Sequence, residues 1–293
     1  KKALLFLGTT ITLFIAILVI NAMTLTSQQI SSNSIEPISL PNDIFEHLSK
    51  SIQYATISLN EDAIPDSTAF LGLHQFIKDV FPMVHKKLSL EKINDYSLLY
   101  TWKGSDSSVK PIILMSHQDV VPIDQPTLND WEAHPFEGKI TNDYVLGRGT
   151  LDDKGSLIGL LEAVEKLLEE SFEPKRTIYL AFGHDEEIGG ESGAAAIVSH
   201  LKEKGIHAAM TLDEGGFLAE NLIPGIDNPV AMINLAEKGF ASFKLIVETS
   251  GGHSSQPPRE NTIGMLAQAI VNLENNQRPY KFCLLYTSPS PRD

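Results

Sequence analysis

Residues 109–119 read VKPIILMSHQD. The run 109–115 is short, aliphatic and closed by a polar turn, the pattern of a strand buried inside a parallel sheet. His117 and Asp119 follow it directly. Two more runs repeat the arrangement: 177–182 (TIYLAF) precedes His184-Asp185-Glu186-Glu187, and 208–212 (AAMTL) precedes Asp213-Glu214-Gly215-Gly216. Each expected strand delivers an imidazole or a carboxylate just past its carboxyl end. In an open α/β sheet that end is where the ligand crevice lies.

A fourth cluster comes from a helix. Asp152 and Asp153 stand between the glycine turn Gly147-Arg148-Gly149 and the segment 156–170, whose apolar residues Leu157, Leu160, Leu161, Val164, Leu167 and Leu168 recur at helical spacing. The dipole favours acids at a helix start, so a carboxylate there can be held rigidly toward the same crevice.

Each cluster has a bland reading. Asp152 and Asp153 could serve only as helix caps, and Glu186 and Glu187 as a solvated turn. His117 could be a structural histidine, the role expected of His74, His85, His200 and His207. Four acid or histidine clusters at element ends within about a hundred residues are better explained by one shared site. Their hard oxygen and imidazole donors suit a pair of zinc ions.

Taken together, HxD at His117 and Asp119, GRGxxDDKG from Gly147 to Gly155, DEE at Asp185 to Glu187, Asp213, and GGHSSxPP from Gly251 to Pro258 resemble peptidase family M20. The likeness is to its branch of carboxypeptidase S and N-fatty-acyl-amino-acid synthase/hydrolases, and it runs from about residue 44 to about residue 273. The resemblance implies a mostly parallel α/β sheet flanked by helices, with an inserted α+β lid that is often a dimerisation surface. It also implies two Zn2+ per complete site. Asp152 would bridge the metals, His117 and Asp213 would complete one zinc site, and Glu187 would bind the other, with Glu214 competing for the place of Asp213. Asp119 would fix the His117 imidazole, Glu186 would act as general base, and His253 would assist the tetrahedral intermediate. The substrate would carry an amide bond beside a free amino-acid carboxylate, as a small peptide or an N-acyl amino acid. A catalytically impaired, membrane-tethered binding protein of the same fold is the competing reading.

The chain departs from the family pattern at its end. A late histidine ligand is expected for the second zinc site, and no residue here supplies it. The stretch 283–293 (CLLYTSPSPRD) follows no lid pattern and holds the only cysteine, so it is expected to be a non-native tail. The expectation is therefore a fragment, with an incomplete second site and poor activity of its own. Residues 42–240 are expected to form the catalytic domain and 241–282 the start of the lid, with 241–248 as a strand and 262–273 as a helix. Segments 43–57 and 66–80 read as helices and 96–102 as a strand. The loop 122–144 carries Trp131, His134, Pro135 and Phe136, which are expected to pack the loop.

The formal charge of −14 argues against binding through phosphates, which needs a basic face, so no nucleic-acid partner is expected. At the other end of the chain, residues 3–23 carry no charge and follow two lysines, as in a signal peptide or a signal anchor. The polar stretch 24–41 reads as a linker. Both forms send the catalytic part into a lumen or out of the cell, secreted or membrane-anchored. N-terminal sequencing of the exported protein separates them: an intact Lys1 region means an anchor, and a new start near residue 24 means a cleaved leader.

Overall fold

The computed structural model describes residues 2–24, 43–60, 62–142, 144–222, 226, 228–234, 242–251, 255, 258 and 260–277. Helix α1 (Lys2–Thr24) comes first. Two of its hydroxyls turn inward, Thr10 to the Phe6 carbonyl and Thr12 to that of Gly8, so neither requires water. The window Phe6–Thr24 has a mean hydropathy of 2.2 and none of it is buried. The helix is long enough to cross a hydrocarbon layer of about 30 Å.

Helices α2 (Ile44–Ile52), α3 (Ser67–Val80) and α4 (Pro82–Lys87) lead into strands β1 (Ser89–Ile93), β2 (Ser97–Trp102) and β3 (Ile112–His117). A small hairpin, β4 (Lys139–Ile140) with β5 (Val145–Leu146), precedes α5 (Lys154–Glu169). Then come β6 (Ile178–Gly183), α6 (Ala194–Glu203) and β7 (Met210–Leu212), a second hairpin of β8 (Leu218–Ala219) and β9 (Val230–Ala231), and α7 (Thr262–Asn275). The main sheet runs β1-β2-β6-β3-β7. β3 is parallel to both β6 and β7, and β2 and β1 extend the sheet as antiparallel strands.

Period-two alternation divides the core between the two faces. Leu98, Tyr100 and Trp102 of β2, with Leu180 and Phe182 of β6, pack against α3, α4 and α5. Leu99, Tyr179 and Ala181 point the other way, onto Ile197 and Leu201 of α6. Helix α5 buries the stripe Leu157, Leu161, Val164 and Leu168, so its amphipathic spacing is what seats it on the sheet.

Connectivity places the crevice. From β3 the chain crosses to β6 by α5 on one face, and from β6 it returns past β3 to β7 by α6 on the other. The loops leaving β3 and β6 therefore diverge, and a cleft opens at their carboxyl ends.

Several boundaries differ from the sequence expectation. β3 begins at Ile112 because Pro111 lacks the N–H a central strand requires, and it extends through His117, which pairs with Gly183. Helix α2 stops at Ile52, short of residue 57. Buried Lys154 donates from Nζ to the carbonyls of Ser51 (3.2 Å) and Tyr54 (2.6 Å), which caps the turn there. Pro82 starts α4, which the apolar spacing alone does not mark. Residues 242–250 take no strand pairing among the described residues, in place of the expected strand 241–248. In the long loop, Arg148 stacks over the Trp131 ring at 5.3 Å, consistent with an aromatic that packs.

Leu161 is fully buried between α5 and the sheet. Leu161→Ala is expected to cost about 2–5 kcal/mol of stability, measured as a shift in the urea midpoint at unchanged slope; a shift near zero would contradict this core.

Candidate metal centre

His117 ends β3 with its side chain almost wholly buried. Its Nδ1 lies 3.0 Å from the backbone carbonyl of Asp119. A carbonyl can only accept, so Nδ1 carries a proton and Nε2 points outward. Nε2 faces Asp152 Oδ1 at 2.9 Å, Glu214 Oε1 at 3.4 Å and Glu186 Oε2 at 3.8 Å.

Asp119 ties the histidine to the next loop. It is fully buried, and Oδ1 stands 3.3 Å from His117 Nδ1. The same carboxylate accepts from the N–H of Glu186 and of Glu187, each at 3.1 Å. Burial alone would raise this carboxyl, but the hydrogen bonds from His117, Ser58 and the Glu187 N–H hold it below its ordinary range. One buried charge therefore orients a β3 ligand and the turn after β6 together.

Asp152 and Asp153 reach the cleft from the N-terminus of α5. The turn before them needs Gly149, whose φ of +89° is strained for any side chain. It also needs Gly155, where a Cβ would meet the Thr150 carbonyl. The Asp152–Asp153 peptide is cis. Asp153 is the N-cap of α5 but makes no side-chain cap bond. Instead Oδ2 accepts from the His117 N–H at 3.3 Å, while Oδ1 is buried with no hydrogen-bond partner within 3.5 Å among the described residues. Asp152 is exposed and free to face outward.

The electrostatics call for a cation. Burial works to lower the His117 imidazole, yet the bond and charge of Asp119, with Glu214 and Asp153, push it up to about 10. Burial and neighbouring acids raise the carboxyls of Glu186 and Glu187, against the pull of His117. Glu214 is pushed up to about 7 by burial, then by Asp153 and other acids, with His117 opposing. At about 10 the imidazole is protonated near neutral pH and is itself the positive charge these carboxylates face, a place that a metal ion would take on displacing the Nε2 proton. Two trios have donor atoms within 4.8 Å of one another: His117 with Glu186 and Glu214, and His117 with Asp152 and Glu187. With imidazole and carboxylate donors and no thiol, the set fits a divalent cation of the zinc type.

The structure thus brings together His117, Asp119, Asp152, Glu186 and Glu187. Glu187 also accepts from the Val121 N–H at 3.2 Å. Asp213 is exposed and accepts from the Glu214 N–H at 3.0 Å, and it is Glu214 that reaches His117. His253 lies outside the described residues. The sequence reading missed Lys154, whose role at the end of α2 shows only in the fold. It also missed Gln118, whose buried amide donates to the Tyr96 and Phe182 carbonyls, both at 2.9 Å. Their signal was position alone, inside the motifs DDKG and HQD.

The model of peptidase family M20/M25/M40 matches residues 113–283. A probable carboxypeptidase S-like protein of Dictyostelium discoideum is 45% identical over 270 residues, 88% of this chain and 52% of that protein. An N-fatty-acyl-amino acid synthase/hydrolase of Mus musculus is 41% identical over 241 residues, 82% of this chain and 47% of its own. The chain spans about half the length of these curated relatives. Among solved structures, an M20 family metallo-carboxypeptidase from Sulfolobus solfataricus aligns with a TM-score of 0.47 at 22% identity, covering 60% of this chain and 38% of that one.

Asp119→Asn keeps the shape but removes the charge behind His117. It is expected to weaken metal binding by about 10–100-fold, read by chelator competition on the full-length protein; unchanged affinity would remove Asp119 from the orienting role.

Proposed function

The chain belongs to peptidase family M20/M25/M40, and on that premise we propose that it carries the metal centre of a zinc-dependent hydrolase. The bond cleaved is an amide next to a free amino-acid carboxylate. The observation that carries this reading is His117 Nε2 aimed at Asp152, Glu186 and Glu214.

In this reading Asp152 would help hold the zinc ions, since its exposed carboxylate can offer both oxygens. His117 and a carboxylate of the Asp213-Glu214 pair hold one ion. Family resemblance supports Asp213, and the observed approach of 3.4 Å supports Glu214. Glu187 would serve the other ion. When bound, the metals lower the pKa of the attacking water and polarise the scissile carbonyl.

Glu186 performs the proton transfer. Its side chain is half exposed, so substrate and water reach it, and burial with the neighbouring acids raises its carboxyl, the direction that favours taking up a proton. It takes a proton from water as the oxygen attacks the amide carbon. It then delivers that proton to the nitrogen, the C–N bond breaks, and a carboxylate and an amine leave. Asp119 holds the Glu186 N–H in place, so the base cannot drift from His117.

Two substrate classes remain, short peptides and N-acyl amino acids, in line with the names of the two relatives. We assign residues 241–282 to the start of a lid that includes His253. Helix α7 leaves Ile263, Ile270 and Leu273 exposed, a face suited to a partner such as a second copy of the chain. Helix α1 acts as a signal or an anchor, placing the hydrolase in a lumen or outside the cell.

Glu186→Gln in the full-length enzyme is expected to retain metal while kcat falls by about 10²–10⁴-fold, followed by release of amino acid from an N-acyl amino acid and from a dipeptide. Near-normal turnover on both would exclude Glu186 as the base.

A further inference from the structure

On the sheet face that carries α3 and α4 there is a cavity of about 400 Å³ near the β1 edge. Strand alternation puts Leu90 and Lys92 of β1 on one side, paired across the sheet with Tyr100 and Leu98 of β2. Helix α3 covers them with Leu71, His74 and Lys78, three and four residues apart on one helical stripe. A cavity of this size is in the range that small organic ligands fill.

Its charge runs against that of the chain. The protein carries a net charge of −14, yet no acid lines this cavity, and two exposed lysines do. Lys78 has no ion pair among the described residues. The nearby acids are engaged elsewhere. Glu91 points to the opposite face, to Lys204 at 2.6 Å and His200 at 3.0 Å. Asp79 accepts from Gln75 at 2.8 Å.

Lys92 is held in place. His74 is lowered to about 4 by burial, with Lys92 adding to the shift against the Gln118 hydrogen bond, so its ring is neutral near pH 7. Its Nε2 faces the Gln118 side-chain oxygen at 2.8 Å, and its Nδ1 lies 3.3 Å from Lys92 Nζ. The Gln118 oxygen accepts, so Nε2 carries the ring proton and Nδ1 receives one from the ammonium. That contact uses one of three ammonium protons and leaves two for a ligand.

We propose that this cavity binds an alkyl carboxylate of the fatty-acid class. The carboxylate lies between the Lys78 and Lys92 ammonium groups, and the chain covers Leu71, Leu90 and Leu98. A bare phosphate would satisfy the lysines but leave Leu71 and Leu90 against water, and an uncharged lipid would leave two cations without a counter-ion. The site is separate from the metal centre and does not depend on the hydrolase reading.

The test is calorimetric titration of the metal-loaded, full-length protein with decanoate, acetate and decanol. Its comparator is the Lys78→Met, Lys92→Met double variant, which keeps the aliphatic stems. Decanoate is expected to bind the parent protein more tightly than acetate or decanol, and the double variant to weaken it by about tenfold or more. No decanoate binding, equal binding by decanol, or equal decanoate affinity in the double variant would each overturn the proposal. Both lysines are exposed, so the variant should fold, which an unchanged melting temperature and metal content verify. Hydrolytic activity is not read in this experiment, so failure of the catalytic reading leaves its outcome unaffected.

Discussion

A single imidazole with only one usable direction governs this structure. The Asp119 carbonyl claims Nδ1 of His117, and the ring is buried, so Nε2 can only look into the cleft. What it meets there is carboxylate from three other parts of the chain. Burial first, and then mutual charge, raises Glu186, Glu187 and Glu214, while the protonated His117 ring pulls against the rise. A metal ion in place of the Nε2 proton would turn the same crowding into coordination.

The fold can hold it because the opposing groups sit on elements that cannot move independently. β3 and β6 are adjacent parallel strands, and the carboxylate of Asp119 reaches from one to the turn after the other. Asp153 reaches back from α5 to the His117 N–H, so the helix bearing Asp152 is tied to the same strand end. Lys154 extends this set to α2, a segment distant in sequence, through two backbone carbonyls. Fixing ligands on rigid elements with buried supporting bonds is the general condition for a precise site.

Much of this was legible in the residues. The three parallel strands, the helix after DDKG and the crevice at the strand ends follow from apolar runs that each stop at an acid or a histidine. What the pattern could not show was anything decided by a partner distant in sequence. The early end of α2 depends on Lys154, and the two-strand extension of the sheet depends on where β1 finds β2. The competition between Asp213 and Glu214 is of the same kind. Adjacent residues are equivalent as symbols, and only the exit angle from the short strand β7 turns one of them toward His117. Gln118 reads as a spacer in the motif, yet its amide joins β2, β6 and α3 behind the site.

The central claim is that imidazole and carboxylate tips from separate segments share a pair of ions. X-ray absorption at the zinc edge of the metal-loaded, full-length protein tests it most directly. The account predicts nitrogen and oxygen neighbours at about 2.0–2.2 Å with no sulfur, and a metal–metal vector of about 3.5–4 Å. A sulfur-containing shell, or zinc bound without a second metal nearby, would contradict it.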